Sequence, residues 1–113
     1  VVRDPAWGLT LAVGLGGIWV EIMKDASLRV LPTNADEIKK SIQSLRAYPL
    51  LQGARGTKPV DIDALANEVA KIADVAYRLG DRLEALEINP LRAAADGNEA
   101  LDALITWADT PSN

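Results

Sequence analysis

The stretch LEINPLRAAADGNEALDALI, residues 86–105, decides the predicted fold because it sets a strong turn signal between two apolar runs. Asp96-Gly97 is typical of a two-residue β-hairpin turn. We therefore predict a hairpin whose strands run over 86–94 and 98–105.

The register of this hairpin can be counted from its turn, and Leu91 then pairs with Asp102. Directly opposed residues share a face of a sheet, as do residues two apart on one strand. Glu87, Asn89, Leu91 and Asp102 are therefore predicted to lie on one face. The opposite face has the apolar character of a core face, with Leu86, Ile88, Leu101, Ala103 and Ile105.

The polar face of the hairpin suggests a metal site. Asn89 and Asp102 become diagonal neighbours, roughly 7–8 Å apart at the backbone. Mg²⁺ takes oxygen ligands and keeps some positions for water and phosphate, so Glu87, Asn89 and Asp102 suit it. The alternative is a solvated sheet face, which polarity alone favours. One extra residue in the turn would also move the side chains of one strand to the other face and separate these ligands.

The first third of the chain predicts three short antiparallel strands, over 9–13, 18–22 and 27–31, each rich in β-branched or aliphatic residues. The glycines of 14–17 between the first two are typical of a tight hairpin. They could also let backbone amides approach an anion. No helix is predicted after them, so they do not form a dinucleotide-binding motif.

Two amphipathic helices are predicted in the middle of the chain. The first has Thr33 as its N-cap, Asp36 as a capping-box partner and an end near Tyr48, because Pro49 disfavours a helical residue before it. The second begins after Asp61 and ends at Gly80. The order βββ-α-α-ββ predicts an α+β fold, with a mostly antiparallel sheet covered by two helices.

Composition limits the chemistry that the chain can perform. Its 113 residues suit one domain, and it has no cysteine and no histidine, which excludes thiolate nucleophiles, Cys-based zinc sites and phosphohistidine carriers within it. Acidic and basic residues are interspersed along the chain and sum to a net charge of −4, so we expect no nucleic-acid partner. The apolar stretch 9–20 is shorter than the roughly 20 residues that span a bilayer, so we expect no membrane partner and a cytoplasmic location.

Three further residues are candidates for ligand contacts. Glu21 lies among apolar strand residues, and Arg29 on the next predicted strand is its natural partner. The pair is either a structural ion pair or part of the lining of a nucleotide cleft, and the sequence favours neither. Arg55, in the predicted loop 51–59, could clamp phosphate, although surface arginines in loops are common.

Taken together, the motifs resemble the ATP-grasp domain of NDP-forming (ADP-forming) acyl-CoA synthetases, in the succinyl-CoA synthetase superfamily. The resemblance covers almost the whole chain, in order. It rests on DPxWG (4–8), GLGGIxVE (14–21), DxxxRxxP (25–32), YPLLxGxRG (48–56), LEINPL (86–91) and LDA (101–103).

This resemblance implies a ligase that interconverts acyl-CoA, ADP and phosphate with acid, CoA and ATP. It implies Mg²⁺ and ATP/ADP as cofactors, with Asn89 and Asp102 as magnesium ligands, Glu87 as a supporting ligand, and Glu21, Arg29 and Arg55 near the nucleotide. Residues 1–113 would be the C-terminal lobe of an ATP-grasp domain. The remaining lobe and the CoA-binding domains would be its partners, because the chain begins at Val1 and lacks the motifs of the first lobe.

A departure from the family pattern leaves a second function open. The family usually has Asp-Ala-Arg where this chain has Asp102-Ala103-Leu104. The alternative is a degenerate ATP-grasp region of a protein acetyltransferase, with a regulatory or structural role. In either case we expect the isolated chain to be inactive. Self-association is a further hypothesis, because a separated lobe exposes apolar surface. The acyl substrate is not encoded in these residues.

Overall fold

The structure, a computed structural model, describes residues 1–14, 25–53, 56, 58–88 and 91–109. It confirms the α+β fold, with a mostly antiparallel sheet and two helices. Two short 3₁₀ turns, Tyr48–Gln52 and Gly80–Arg82, lie before and after the second helix. The main elements are β1 (Val2–Asp4), β2 (Gly8–Gly14), β3 (Ala26–Val30), α1 (Ala35–Gln43), α2 (Ile62–Leu79), β4 (Leu83–Ile88), β5 (Leu91–Ala94), β6 (Gly97–Ala100) and β7 (Ala103–Trp107).

In the described part of the chain, the main sheet has five strands in the order β3-β2-β1-β4-β7, and every neighbouring pair is antiparallel. The predicted strands over 9–13 and 27–31 are confirmed as β2 and β3, and the predicted strand over 18–22 lies outside the described residues. Central β1 was not predicted. Its three residues are too few to show a period-2 pattern.

Helix α1 begins one residue later than predicted and ends earlier. Its N-cap is Asn34, whose Oδ1 accepts a hydrogen bond from the Glu37 amide at 2.9 Å, so the assignment of Thr33 was wrong. Asparagine is at least as good an N-cap as threonine. The helix ends at Gln43 instead of near Tyr48, and Pro49 falls within the separate 3₁₀ turn.

Helix α2 has the ends that were predicted. Asp61 Oδ1 accepts a hydrogen bond from the Ala64 amide at 3.0 Å, and Gly80 caps the other end with φ of +57°. A residue with a side chain rarely adopts that φ, so glycine is needed there. The buried stripe is Leu65, Ala66, Val69, Ala73 and Ala76.

The hydrophobic core lies between the sheet and the two helices, both of which cover the same sheet face. The sheet contributes Leu9, Leu11, Leu83 and Leu86, and α1 contributes Ile38 and Ile42. We call this covered side the inner face of the sheet and the opposite side the outer face. No helix among the described residues is long and apolar enough to cross a membrane.

A buried aspartate joins β3 to the end of α1. Asp25 is 7% exposed, and its two carboxylate oxygens accept hydrogen bonds from the amides of Arg46 and Ala47, at 2.8 and 3.0 Å. Buried polar groups are stable when they are hydrogen-bonded in this way.

Candidate functional site

Strand β4, which carries Glu87, is held on both sides. On one side the Leu86 amide donates to the Val1 carbonyl at 2.8 Å, and Val2 pairs with Ala85. On the other side, β4 pairs with β7, with Ile88 opposite Ala103. A strand paired on both sides has a fixed position, so the face that each of its side chains occupies is well defined.

Glu87 lies on the outer face of the sheet. It is exposed and stands opposite Leu104, whereas the preceding Leu86 is buried in the core. Because successive side chains point to opposite faces, Glu87 points away from the helices. Thr10 on β2 pairs with both Val2 and Val30, and these residues also lie on the outer face.

Asp102 lies where β7 begins. It immediately precedes Ala103, the residue paired with Ile88, and its Oδ1 accepts a hydrogen bond from the Ala103 amide at 2.9 Å. Asp102 is exposed. The third predicted ligand, Asn89, lies outside the described residues, as does Pro90.

The predicted hairpin register was wrong by two residues. The observed pairs are Leu91 with Ala100 and Ala94 with Gly97, so Leu91 does not pair with Asp102. Gly97 is the first residue of β6, so it lies directly after the turn and not within it. Its φ is +141°, which glycine adopts more readily than other residues. Because the register is shifted by two residues, an even number, the residues of β5 and β6 that were predicted to share a face still share one.

The prediction that Leu91 shares the face of Glu87 was also wrong. Leu91 and Ala93 pack against the core, and they line the same apolar cavity, about 200 Å³ in volume, as Leu86 and Ile88. The predicted long hairpin is instead two separate ladders, β4–β7 in the main sheet and β5–β6 in a sheet of its own. Pro90 lacks an amide donor, which favours such an interruption.

Arg29 and Glu87 lie on opposite faces of the sheet. Arg29 pairs with the buried Leu11 and therefore points to the inner face. Its Nε donates to Ser41 Oγ at 2.6 Å, and its Nη1 lies 3.2 Å from a carboxylate oxygen of Glu37. The described partners of Arg29 are thus both on α1.

The other two candidate nucleotide contacts, Glu21 and Arg55, lie outside the described residues. The predicted pair of Glu21 with Arg29 is therefore not described either. Sequence inspection missed Ser41 and Asp25 as partners, because a hydroxyl on a helix face and an aspartate before a strand have no spacing that distinguishes them.

The donor chemistry of Glu87 and Asp102 suits a hard cation such as Mg²⁺, which prefers carboxylate oxygens. Within the described ranges, no group of three or more acidic side chains could hold a metal ion by itself.

Comparison with known proteins identifies the fold family. Residues 1–107 match the model of an ATP-grasp domain. The chain is 44% identical over 103 residues to the beta subunit of ADP-forming acetate–CoA ligase I from Pyrococcus furiosus, covering 91% of this chain and 44% of that subunit. It is 34% identical over 100 residues to ADP-forming acetate–CoA ligase I of Archaeoglobus fulgidus, covering 88% of this chain and 14% of that protein.

Solved structures give the same result. A dinucleotide-forming acetyl-coenzyme A synthetase 1 from Ca. Korarchaeum cryptofilum, in complex with coenzyme A and Mg-AMPPCP, superposes with a TM-score of 0.85 at 34% identity. The match covers 95% of this chain and 50% of that one, so the chain spans half or less of the relatives described. The chain therefore belongs to the ATP-grasp domain family, and within that family it is similar to the ADP-forming acyl-CoA synthetases.

Proposed function

We propose that this chain is the Mg-nucleotide-binding, C-terminal lobe of the ATP-grasp domain of an ADP-forming acyl-CoA synthetase. The parent protein would convert acyl-CoA, ADP and phosphate to acid, CoA and ATP. The family membership and the likeness to ADP-forming ligases support this proposal. The remaining lobe and the CoA-binding domains would be its partners, and the acyl group would be recognised outside this chain.

One structural observation carries the proposal. Strands β4 and β7 are paired along their length, and Ile88 with Ala103 is the last pair of that ladder. The predicted ligands Glu87 and Asp102 lie close to this end of the sheet. Glu87 precedes Ile88 on β4, and Asp102 is the residue immediately before β7. A cation placed at this end of the sheet would have carboxylates from two strands within reach.

The magnesium ion would act electrostatically, by neutralising phosphate oxygens and orienting the phosphoryl group that is transferred. Glu87, Asn89 and Asp102 would hold it. The hydrogen bond from the Ala103 amide limits rotation of the Asp102 carboxylate, which favours a preorganised ligand. Both described helices pack on the inner face, so the outer face beside Glu87 would leave room for the nucleotide.

The proposal also covers the three residues predicted to lie near the nucleotide, Glu21, Arg29 and Arg55. Glu21 and Arg55 are retained as proposed nucleotide contacts. For Arg29 we propose an indirect role, because its described partners, Glu37 and Ser41, lie on α1. It would hold the helix layer against β3.

The first test is titration of this chain with Mg-ADP by calorimetry. We expect weak or no binding, because the chain spans less than half of its beta-subunit relative and half of the cleft would be contributed by other residues. Tight binding would contradict the half-site proposal.

The second test uses the intact parent protein and compares Asp102→Ala with Asp96→Ala. Both aspartates are exposed, but Asp96 lies in the β5–β6 turn. We expect Asp102→Ala to raise the magnesium concentration needed for half-maximal activity by about tenfold, since one good charged contact contributes about 1.4 kcal/mol. Asp96→Ala should have no effect. Equal magnesium dependence in the two variants would remove Asp102 from the site.

One observation favours the alternative function, a degenerate ATP-grasp region of a protein acetyltransferase. Leu104, at the position where the family pattern has arginine, stands directly opposite Glu87 on the outer face and is 61% exposed. A leucine there cannot contact phosphate. A parent that carries an acetyltransferase domain and makes no ATP from acyl-CoA, ADP and phosphate would establish this alternative. A cytoplasmic location is proposed for both functions.

A further inference from the structure

Strand β7 is an unprotected edge of the five-stranded sheet. All five of its residues are exposed, and its sequence ALITW contains no charged residue and no proline. Edge strands usually carry a charge, a proline or a bulge, because their unpaired amide and carbonyl groups can pair with another chain. Among the residues that the structure describes, no strand pairs with the free side of β7.

Among the described strands, β3 forms the opposite edge of the sheet, and it is protected. It carries Arg29, a charged residue that points inward to Glu37 and Ser41, and Pro32 follows closely. Inward-pointing charges and prolines discourage pairing at an edge. Exposure alone does not separate the two edges, since Leu28 on β3 is 66% exposed and Leu104 on β7 is 61% exposed.

We propose that β7 is a self-association edge, at which two copies of this chain pair antiparallel about a twofold axis. An antiparallel pair of identical strands is its own complement, because each strand offers the other the same alternation of amide and carbonyl groups. With the axis perpendicular to the sheet at Ile105, the two copies of Ile105 face each other. Leu104 of one copy then lies beside Thr106 of the other.

This register also suits the charges at the ends of β7. Asp102 of one copy aligns with Ala108 of the other, and Asp109 aligns with Leu101. No two carboxylates stand directly opposite, which would be unfavourable. A second copy therefore fits this edge without like-charge contact, and both exposed faces of β7 gain apolar neighbours.

The size of the contact sets its strength. Five paired residues from each copy bury less than the roughly 1,000 Å² that a stable interface needs. We therefore expect a weak, reversible dimer with a dissociation constant on the order of 100 micromolar. Because each copy has a net charge of −4, added salt should strengthen the association.

Sedimentation equilibrium of the chain tests the proposal, with Ile105→Lys as the disrupting variant and Leu28→Lys as the matched control. Two lysines at position 105 would face each other across the axis, so we expect at least a tenfold weaker dimer. Leu28→Lys puts the same charge on the other edge and should leave the dissociation constant unchanged. Hydrogen exchange at 103–107 should slow as the protein concentration rises, while exchange at 26–30 should not.

Circular dichroism establishes that each variant is folded. If Ile105→Lys does not fold, Leu104→Lys replaces it. Glu87 stands opposite that position, so the folded chain accommodates the charge, and a lysine on an edge strand discourages pairing with a second copy. A wild-type chain that stays monomeric up to about 1 millimolar would overturn the proposal. So would a dimer that Leu28→Lys weakens as much as the β7 variant does, or one that no β7 variant weakens.

Discussion

The two faces of the five-stranded sheet differ in what they contribute. The inner face carries Leu9, Leu11, Leu83 and Leu86, all buried beneath α1 and α2. The outer face carries Glu87 and exposed aliphatic side chains such as Leu104 and Val30. The same strands therefore supply stability on one side and, on the other, an exposed, partly apolar surface that carries the candidate ligand Glu87. Substitutions on the two faces should differ accordingly.

The largest contrast is expected for leucines of β4 and β7. Leu83 is fully buried, so Leu83→Ala should lower the free energy of unfolding by about 3 kcal/mol, through lost burial and the cavity left behind. Leu104→Ala on the outer face should change it by less than about 0.5 kcal/mol. Urea denaturation of both variants measures this. Similar losses would show that the outer face is covered.

The next contrast compares two aspartates. Asp25→Ala leaves the part-buried amides of Arg46 and Ala47 without their acceptors, which should cost about 2 kcal/mol. Asp25→Asn keeps one acceptor and should cost less. Asp102 is exposed and, within the described part of the chain, accepts a hydrogen bond from its neighbouring amide, so Asp102→Ala should cost less than about 0.5 kcal/mol. Faster hydrogen exchange at residues 46 and 47 in the Asp25 variants would identify the cause.

A smaller effect is expected at the start of α2, in the layer that covers the inner face. Asp61→Ala removes the N-cap acceptor of the Ala64 amide and should cost about 1 kcal/mol. Asp61→Asn keeps an acceptor and should cost much less. If thermal unfolding shows equal losses in the two variants, the contribution of Asp61 is its charge and not its cap.

The smallest effect is expected at the rim of the helix layer, where Lys39 contacts Asp63 across α1 and α2 at 2.7 Å. The hydrogen bond to Asp63, and then its charge, raises the pKa of Lys39 above the usual 10.5. Since the folded state binds this proton more tightly, the contribution is present below pH 10.5 and fades as the pH rises through the raised pKa.

Lys39→Met should therefore be slightly less stable than the wild type at pH 7, with the difference disappearing in strong alkali and shrinking in high salt. Lys71→Met, which loses a contact with Glu68 within α2 rather than one between the two helices, is the control. A difference between wild type and Lys39→Met that is independent of both pH and salt would contradict an ionic origin.

Local features were predicted well because their causes are local. The ends of α2 follow from the Asp61 cap and from Gly80, and its buried stripe follows from helical spacing. β2 follows from period-2 alternation, with Leu9 and Leu11 buried. The N-cap of α1 was misplaced by one residue because Thr33 and Asn34 are both good caps, and propensity alone does not separate them.

The candidate site was predicted less completely. Glu87 was correctly placed on the face opposite Leu86, because alternation within one strand requires it. Leu91 was placed on the wrong face, because the count assumed one continuous hairpin from 86 to 105. The functional roles of Glu87, Asn89 and Asp102 stay predictions, and Asn89 lies outside the described residues.

The amino-acid order by itself determined the helices, the apolar faces and the family motifs, because these depend on spacing between residues close in the chain. Tertiary structure decided the rest. It placed β1 between β2 and β4, gave Arg29 its partners on α1, put Asp25 under the end of that helix and divided the hairpin into two ladders. Each of these depends on contacts between distant residues, and packing chooses among several local arrangements of similar energy.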